Sequence, residues 1–492
     1  MKQFVLTRSL LFSIAATLAS GALYYFSTGL TGFRPLVWIA PLPVLVMATR
    51  SSRKSTATSA FGAYILGGFA LAGYFTRLAP LGVVIASLVI PALAFMLVII
   101  AYRDAMILLR HPFSFAAFPV GWTSYEFLLS IVSPHGTAGS IAYTQADLLP
   151  LVQISSLTGI FGISFILTLV PAGLAAIFHY RENKRFALVA LSTAFIVTLG
   201  SMTYGWMKLA VHDSGPSVRV GLGAINRAVR YAHRTDRERK LGALRAYARM
   251  VSLLSDNGSK IVVLPEKIVG IAEEYENDAV KILTETAKDK KVLIIAGLER
   301  LGAEPHRNLA MLIGPEGNVL GEYDKVHLIS GLESEYRHGT KMLQFQALGL
   351  SGGIAICKDL DFPRYVRKYG EAGVGVLFVP AWDFGTDAWL HSRMAVLRGV
   401  ENGFALVRSA SDGYLSVSDE HGRMNAESIR LGAPEATLVA DVHPGTGRTF
   451  YAVYGDWFPI INLFALLILL TASIKGILHQ RTLDRDAKSG SA

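Results

Sequence analysis

Long apolar runs constrain the fold of this 492-residue chain more than any other feature of its sequence. A helix needs about 20 apolar residues to cross the hydrocarbon core of a bilayer. Eight runs reach or approach that length, and they lie at residues 9–28, 34–50, 57–76, 79–101, 112–131, 157–179, 186–206 and 457–475. The second, which contains Pro41 and Pro43, and the fifth are the weakest. The first is too long for a secretory signal peptide. We therefore expect an α-helical membrane bundle of about eight spans.

The positions of lysine and arginine predict the orientation of these spans. Cytoplasmic loops carry an excess of basic residues, and this bias sets the topology. With Lys2 and Arg8 in the cytoplasm, every even-numbered span must end there. The basic residues that follow those spans are Arg50, Arg53 and Lys54, then Arg103 and Arg110, then Arg181, Lys184 and Arg185, and last Lys475, Arg481, Arg485 and Lys488. The short outside loops contain only Arg34 and Arg77. Residues from about 210 to 455 are therefore expected outside the cytoplasm.

The loop at residues 132–156 is polar, contains glycine and has no lysine or arginine. It begins with Val132-Ser133-Pro134-His135-Gly136 and has no strong helical period. Two interpretations stay open from these residues alone. Either the loop covers the membrane-facing side of the outside domain, or it is a plain connector.

From Ser217 onward, short β-branched runs alternate with amphipathic helical stretches. The predicted strands are 217–223, 260–264, 292–296, 309–313, 352–356, 375–379 and 404–408. The predicted helices are 234–255, 275–288, 363–372 and 387–402, and residues 416–430 are predicted to form a polar hairpin or loop. This alternation predicts an extracytoplasmic α/β domain in which helices cover the sheets.

The net charge of +10 has an explanation in the membrane part. The basic residues cluster at the ends of the apolar runs, where they meet lipid headgroups. No basic stripe is interleaved with aromatic residues, so we expect no nucleic-acid partner.

Three β-like segments end in a reactive side chain, at Glu266, Lys325 and Cys357. Groups at strand ends are held rigidly while the adjoining loops stay open. A carboxylate can take the proton of a thiol, and an ammonium can stabilise the oxyanion of a tetrahedral intermediate. The three groups are therefore sufficient for acyl transfer, without a metal or a cofactor.

Each of these residues alone also has an ordinary structural interpretation. Cys357 is the only cysteine, which excludes an intrachain disulfide and a cysteine-rich zinc site. A lone thiol is usually a small buried residue, and Glu266 and Lys325 could equally be surface charges. His327, beside Lys325, is expected to be structural. The joint occurrence of the three groups is what favours catalysis.

These segments resemble the nitrilase superfamily and, within it, the apolipoprotein N-acyltransferase family of bacterial inner membranes. In the outside domain the similar motifs are Leu-Pro-Glu at 264–266, Tyr-Asp-Lys-Val-His-Leu at 323–328, Ala-Ile-Cys-Lys-Asp at 355–359 and Arg-Gly-Val-Glu-Asn-Gly at 398–403. Elsewhere they are Ala-Tyr-Thr-Gln at 142–145, Gly-Ile-Phe-Gly-Ile-Ser-Phe at 159–165 and Tyr-Gly-Asp-Trp at 454–457. The order of seven spans, one domain and a last span is similar as well.

The resemblance implies a seven-span bundle at residues 1–210, a nitrilase-like α-β-β-α sandwich at 217–448 and a C-terminal transmembrane helix at 456–478. The sandwich would lie on the periplasmic side of the inner membrane. We expect a monomer with no cofactor.

The resemblance also implies a reaction. Cys357 would take an acyl chain from a phospholipid, as in phosphatidylethanolamine, and hold it as a thioester. The amino group of a diacylglyceryl-cysteine at the N-terminus of a diacylated apolipoprotein would then accept it. Glu266 would be the general base and Lys325 would support the oxyanion.

Further residues match family positions around this centre. Glu333 matches an acid that positions the lysine, and Asp359 lies where the family usually has glutamate. Asn308 and Trp382 match substrate-pocket positions. Lys358 replaces a residue that is usually aromatic; it either lowers the pKa of Cys357 or points to solvent. The usual Pro-Phe-Gly-Glu after the lysine is replaced by residues 329–333.

Two other function classes stay open from the residues. The first is a membrane-bound amidase or nitrilase-type C–N hydrolase that releases its acyl group to water; its triad would look the same. The second is a transporter or scaffold with a degenerate domain. The small number of charges in the spans and the intact triad argue against this second class.

Overall fold

A computed structural model describes most of the chain. It covers residues 2–109, 111–211, 215–225, 237–302, 304–429 and 433–489, with side chains described except at 2–8, 480–481 and 483–489. Arg110, Arg430 and residues 234–236, all used in the predictions above, lie outside these ranges, as do the side chains of Lys2, Arg8, Arg481, Arg485 and Lys488.

Most of the helices precede the first strand. They are α1 (Lys2–Thr28), α2 (Leu42–Ala48), α3 (Arg53–Leu78), α4 (Leu81–Leu108), α5 (Ala117–Val132), α6 (Leu149–Val152), α7 (Ser155–Thr158), α8 (Ile160–His179) and α9 (Lys184–Ala210). The later ones are α10 (Arg237–Asp256), α11 (Glu276–Lys290), α12 (Pro363–Glu371), α13 (Ala388–Asn402), α14 (Phe450–Tyr454) and α15 (Trp457–Ser489).

Seven of the described helices contain a stretch long and apolar enough to cross a membrane. These stretches are Ser9–Thr28, Arg53–Leu78, Leu81–Leu108, Ser114–Val132, Ile160–His179, Lys184–Ala210 and Trp457–His479. They correspond to all the predicted spans except the second. The membrane bundle is thus confirmed.

The second predicted span, at 34–50, is not one continuous helix. It consists of a 3-10 helix at Arg34–Trp38 followed by α2. Proline lacks a backbone N–H and its ring clashes with the preceding turn, so it disrupts a helix interior. The helices α4 and α8 each tolerate a single interior proline, but three prolines occur here within nine residues. Pro35, Pro41 and Pro43 therefore break this run into short pieces.

The chain nevertheless passes through the bundle between α1 and α3, because these two helices are parallel. Ser13 Oγ of α1 lies 2.8 Å from Oγ of Ser55, in the first turn of α3. Farther along both, Gly67 of α3 packs against the side chain of Tyr24 of α1. The end of α1 and the start of α3 thus lie at opposite faces of the bundle, and residues 29–52 connect them. This geometry agrees with the even number of passages that the basic residues predict.

Two pairs of successive membrane helices, α4 with α5 and α8 with α9, pack antiparallel through small residues, which let backbones approach closely. Gly121 of α5 packs against Val98 of α4, and Gly173 of α8 packs against Ala194 of α9. At the far end of the last helix, Gly476 of α15 lies next to Leu108. The ends of α4 and α15 therefore lie at the same face of the bundle.

The strands form two sheets. They are β1 (Val218–Ile225), β2 (Ile261–Val263), β3 (Gly270–Ile271), β4 (Leu293–Arg300), β5 (Arg307–Ile313), β6 (Val319–Asp324), β7 (Leu343–Ala347), β8 (Leu350–Ile354), β9 (Val376–Trp382), β10 (Ala405–Ser411), β11 (Tyr414–Ser418), β12 (Met424–Ile429) and β13 (Glu435–Val442). The first sheet has the order β13-β1-β2-β4-β5-β6, with β3 beside β4, and the second has the order β12-β11-β10-β9-β8-β7.

The two sheets pack face to face with helices outside them. In β2, Ile261 and Val263 lie in the core between the sheets, whereas Val262 lies in a second core beneath α10 and α11. This alternation follows from the period of two along a strand. On the other side, Val366 of α12 and Ala395 of α13 close the core of the second sheet. The result is the predicted α-β-β-α sandwich.

The sandwich docks on the bundle through α13. Met394, Leu397 and Val400 of this helix are buried in the same apolar cluster as the membrane helices. Polar contacts reinforce the docking: the Glu401 carboxylate accepts a 2.7 Å hydrogen bond from the first backbone N–H of α8, at Ile160. Trp457 Nε1 donates to the carbonyl of Leu157 at 2.8 Å.

Candidate active site

The three predicted catalytic side chains follow three strands. Glu266 comes three residues after β2, Lys325 directly after β6, and Cys357 three residues after β8. The strands β2 and β6 belong to the first sheet and β8 to the second. Because the sheets pack face to face, the three segments meet, and the charges of Glu266 and Lys325 both act on the Cys357 thiol.

Lys325 is held between two carboxylates. Its side chain is fully buried, and Nζ lies 2.8 Å from Glu266 Oε1 and 2.9 Å from Glu333 Oε2. Burial alone would lower the pKa of Lys325, but the attraction of the two carboxylates outweighs it and the pKa is raised. Lys325 therefore stays an ammonium at neutral pH.

Asn308 lies between the same two carboxylates. Its side-chain amide donates to Glu266 Oε1 at 2.6 Å and to Glu333 Oε1 at 2.9 Å. The residue is 1% exposed. In this structure its amide orients the acids, and the predicted contact with substrate remains untested.

Lys267 is a member of this cluster that the sequence did not suggest. Its Nζ lies 2.6 Å from Glu333 Oε1 and 4.3 Å from the centre of the Tyr336 ring. Burial opposes ionisation of Glu333, but the two lysines outweigh it and lower the pKa of that carboxyl. Two ammonium groups thus balance two buried carboxylates.

The two side-chain hydrogen bonds of Glu266 fall on one of its carboxylate oxygens. The bonds from Lys325 and Asn308 both fall on Oε1. Among the described residues, none donates a hydrogen bond to Oε2. This oxygen is the one available to take a proton.

Cys357 lies in a strained turn. Its φ is +43°, in the left-handed region that side chains other than glycine rarely adopt. The side chain is partly exposed, and Sγ lies 3.4 Å from the carbonyl oxygen of Trp382. Burial and then the charge of Glu266 raise the pKa of the thiol. The resting group is therefore a neutral thiol that needs a base before it can attack.

The end of β9 contacts both Glu266 and Cys357. The Ala381 carbonyl accepts the backbone N–H of Glu266 at 3.2 Å. The next carbonyl, that of Trp382, is the one that faces Cys357 Sγ. Consecutive residues of one strand thus hold both groups.

Asp359 connects the lysine segment to the nucleophile turn. Its Oδ1 accepts the backbone N–H of His327 at 2.8 Å and lies 3.1 Å from the Nδ1 atom of the same residue. Its Oδ2 accepts Tyr323 Oη at 2.7 Å and the N–H of Ile356 at 3.0 Å. The carboxylate is completely buried. The ring of His327 also stacks on Phe362, which agrees with the structural role expected for it.

Lys358 does not point to solvent, and its charge interacts with the Cys357 thiol. It is 7% exposed, and its Nζ lies 2.9 Å from Nδ1 of His135 in the bundle loop. Asp361 Oδ2 is 3.7 Å away. Burial lowers the pKa of Lys358. Its ammonium therefore bonds to the membrane part rather than pointing to solvent.

A second polar network follows β9 and was not predicted. Arg408 forms a two-bond ion pair with Asp383, at 2.5 and 3.0 Å. His391 Nδ1 lies 3.3 Å from Asp383, and its Nε2 lies 3.7 Å from Asp387. Asp387 also accepts the hydroxyl of Tyr74, at the end of membrane helix α3, at 2.5 Å. The spacing of four residues between 383, 387 and 391 is the sequence signal that could have indicated this cluster.

Comparisons with known proteins agree with this architecture. Residues 227–444 match the family model described as carbon-nitrogen hydrolase, and residues 20–173 match that of the apolipoprotein N-acyltransferase N-terminal domain. The chain is 27% identical to an apolipoprotein N-acyltransferase of Geobacter metallireducens, over 94% of this chain and 95% of the relative. It is 25% identical to apolipoprotein N-acyltransferase 2 of Treponema denticola, over 73% and 76%.

Among solved structures, the chain is similar to an amidase from Nesterenkonia sp., with 21% identity, 50% of this chain and 96% of that chain covered, and a TM-score of 0.40.

The sandwich with its glutamate, lysine and cysteine defines a carbon–nitrogen hydrolase domain on a membrane bundle. Since both parts match and the similarity to the relatives extends over most of the chain, the protein belongs to the apolipoprotein N-acyltransferase family.

Proposed function

We propose that this protein transfers a fatty acyl chain from a phospholipid, through a thioester on Cys357, to the N-terminal amine of a diacylglyceryl-cysteine lipoprotein. The single observation that carries the proposal is the buried Glu266–Lys325 pair beside the Cys357 thiol, in a sandwich docked on a membrane bundle. The family membership supplies the substrate classes.

The first step needs a base because the thiol is neutral at rest. Glu266 takes the proton from Sγ as the sulfur attacks the ester carbonyl carbon of the phospholipid. The carbonyl oxygen becomes an oxyanion, and the Lys325 ammonium stabilises it. When the intermediate collapses, the glycerol oxygen leaves and takes the proton from Glu266. The products are a lysophospholipid and the Cys357 thioester.

In the second step the thioester is the acyl donor and the lipoprotein amine is the nucleophile. The amine of the lipoprotein attacks the thioester carbonyl and gives its proton to Glu266. The sulfur leaves and regains that proton from Glu266. An amide is formed and the thiol is restored. Neither step requires a metal or an additional cofactor.

Glu333, Lys267 and Asn308 support this cycle by fixing charge and orientation. With Glu333 and Asn308 in place, Lys325 has one position and Glu266 has one free oxygen. Such preorganised charge does not have to rearrange during the reaction, which is how active sites stabilise oxyanions. We assign phosphatidylethanolamine as the donor.

We also propose that the sandwich lies in the periplasm. It docks at the bundle face where α1, α3 and α9 end and α8 begins, as the contacts from Asp387, Glu401 and Trp457 indicate. The basic loops belong to the opposite face. Since Cys357 is the only cysteine, a membrane-impermeant maleimide added to spheroplasts should label it, with Cys357→Ser as the control. Labelling only after the membrane is permeabilised would contradict this orientation.

Mass spectrometry of lipoprotein N-termini in cells tests the activity. With this protein as the sole N-acyltransferase, the N-terminal cysteines should carry three acyl chains, and with Cys357→Ala they should carry two. If the termini stay diacylated with the intact protein, the proposed acceptor is wrong.

A further inference from the structure

Thr137, in the bundle loop between α5 and α6, makes two hydrogen bonds to the turn that carries Cys357. Its backbone N–H and its Oγ1 both bond to the carbonyl oxygen of Asp361, at 2.9 and 3.0 Å. Thr137 is 4% exposed. Asp361 is the last residue of the 3-10 turn Cys357–Asp361, so the contact fixes the turn at the end opposite to the nucleophile.

The hydroxyl of Thr137 is itself oriented by a chain of donors. A carbonyl oxygen only accepts, so Thr137 Oγ1 donates to Asp361 and must accept from the Tyr143 hydroxyl, 2.7 Å away. Tyr143 in turn accepts from Arg398 of α13 at 3.0 Å. Tyr143 and Arg398 are both buried. The Thr137 side chain is therefore held in one orientation and supports the turn rigidly.

Gly136 brings the loop into close contact with the same carbonyl. Its φ is +51°, and a Cβ atom at this position would lie 2.2 Å from Asp361 O. Neither the backbone conformation nor the space admits a larger residue. Gly139, three residues later, has no atom within 4 Å of its Cβ position.

The adjacent His135 contacts the residue next to the nucleophile. Its Nδ1 lies 2.9 Å from Lys358 Nζ. Residues 135–137, which we call the clasp, therefore contact both Lys358 and Asp361 of the five-residue turn.

The clasp is anchored inside the bundle. Three residues after Thr137, Ser140 donates to the carboxylate of Glu126 of α5 at 2.8 Å, and the backbone N–H of Ile141 donates to it at 3.0 Å. Glu126 is 6% exposed. A buried carboxylate with several donors is a firm attachment point.

We propose that the clasp is part of the active site, with Thr137 as a positioning residue that holds the Cys357 turn in its reactive geometry. The inference rests on the proposed nucleophilic role of Cys357. A strained turn needs surrounding contacts that over-determine its conformation. Here the membrane part supplies several of them, so the nucleophile is set only when the sandwich is docked on its bundle.

A pair of glycine variants in the full-length protein tests the clasp. Gly136→Ala should slow formation of the acyl-enzyme from phosphatidylethanolamine by at least about tenfold, because the added methyl group displaces Asp361. Gly139→Ala, in the same loop, should react at the wild-type rate. Equal rates for the two variants would overturn the proposal.

A threonine series separates positioning from folding. Thr137→Val keeps the shape but removes the hydroxyl, and should lower the rate constant for acylation by about tenfold while the KM for phospholipid changes little. Thr137→Ser should restore the rate. The rate of Cys357 alkylation by iodoacetamide should change in Thr137→Val as well. A lower melting temperature with unchanged acylation and alkylation rates per folded molecule would mean a structural role only, and would contradict the inference.

The wild-type protein separates this inference from the proposed function. If the wild type forms no thioester, the proposed function fails. If the wild type forms it and Gly136→Ala and Thr137→Val form it equally fast, only the clasp fails.

Discussion

Lys325 and Glu266 form a buried ion pair in which Nζ lies 2.8 Å from Oε1, with the lysine completely buried and the glutamate 2% exposed. Glu333 and Lys267 complete the charge balance. Buried charges of this kind are costly unless each has a partner. The arrangement therefore gives each buried charge an opposite partner beside a thiol whose pKa is raised.

Glu266→Gln should abolish most of the acyl-enzyme formation. The amide cannot take the thiol proton, and a general base typically contributes about 100- to 10,000-fold to the rate. The measurement is the single-turnover rate of acylation by mass spectrometry of the intact protein. Glu274→Gln, at an exposed glutamate of the same domain, is the control and should react like the wild type. A loss of less than about tenfold would exclude Glu266 as the base.

Asp359→Asn should weaken both the fold and the reaction. Asparagine has a single acceptor oxygen, so in either orientation of the amide the backbone N–H of His327 or that of Ile356 loses its acceptor, and a buried donor left without an acceptor costs about 1–3 kcal/mol. Thermal melting in detergent measures the first effect and acylation rate the second. Asp289→Asn, on the exposed face of α11, should change neither. Wild-type melting of Asp359→Asn would show that this carboxylate does not hold the two segments together.

Some site residues and strands could be predicted from the sequence because the pattern that marks them is local. Glu266 and Cys357 could be found from sequence because each follows an apolar β run whose pattern is local. All seven strands predicted in the sandwich exist, and 416–429 contains the second strand of a hairpin, β12, and most of the first, β11. The strand β6 was recognised only as the β-like segment that ends at Lys325. The partly exposed strands β7 and β13 were not predicted, since their polar residues obscure the apolar pattern.

The site contacts that could not be predicted join residues that lie far apart in the sequence. The Lys358–His135 bond joins residues 223 positions apart, and the Thr137–Asp361 bond joins residues 224 apart. No local pattern encodes such pairs. The loop at 132–156 was left open between cover and connector, and the structure shows that it covers the nucleophile turn. Asn308 and Lys267 acquire their contacts only when β5, the Glu266 segment and the loop that carries Glu333 are brought together.

Tyr74→Phe should loosen the attachment of the sandwich to the bundle. The variant loses the 2.5 Å hydrogen bond to Asp387, a bond to a charged group worth about 1.5–3 kcal/mol. The expected result is a lower melting temperature in detergent. Tyr25→Phe, at an exposed tyrosine of α1, is the matched control. An unchanged melting temperature in Tyr74→Phe would contradict the role of this contact.

His391 should make stability depend on pH in the alkaline range. Burial alone would lower its pKa, but Asp387 and Asp383 raise it to about 9. The unfolded chain has a histidine pKa of about 6.5, so the folded state binds the proton more tightly. The stabilisation is complete below about pH 6.5 and is lost as the pH rises through about 9. From the difference between the two pKa values it amounts to about 3 kcal/mol at most.

Melting temperatures between pH 6 and pH 10 in wild type and His391→Gln measure this effect. The wild type should lose its advantage over the variant between about pH 6.5 and 9. Parallel curves across this range would exclude His391 as the titrating group. His443→Gln, at a half-buried histidine bonded to the Gly215 carbonyl, should leave the wild-type curve unchanged.

In the proposed reaction Cys357 carries the acyl chain between two lipid substrates. The most direct measurement is a pulse and chase: purified protein in nanodiscs receives phosphatidylethanolamine with an isotope-labelled acyl chain, and intact-protein mass spectrometry follows the adduct. We expect a labelled thioester that is absent in Cys357→Ser and that disappears, on addition of a diacylated lipopeptide, at the rate at which the labelled amide appears. An adduct that never forms, or a label that is released only as free fatty acid in the presence of the lipopeptide, would contradict the account.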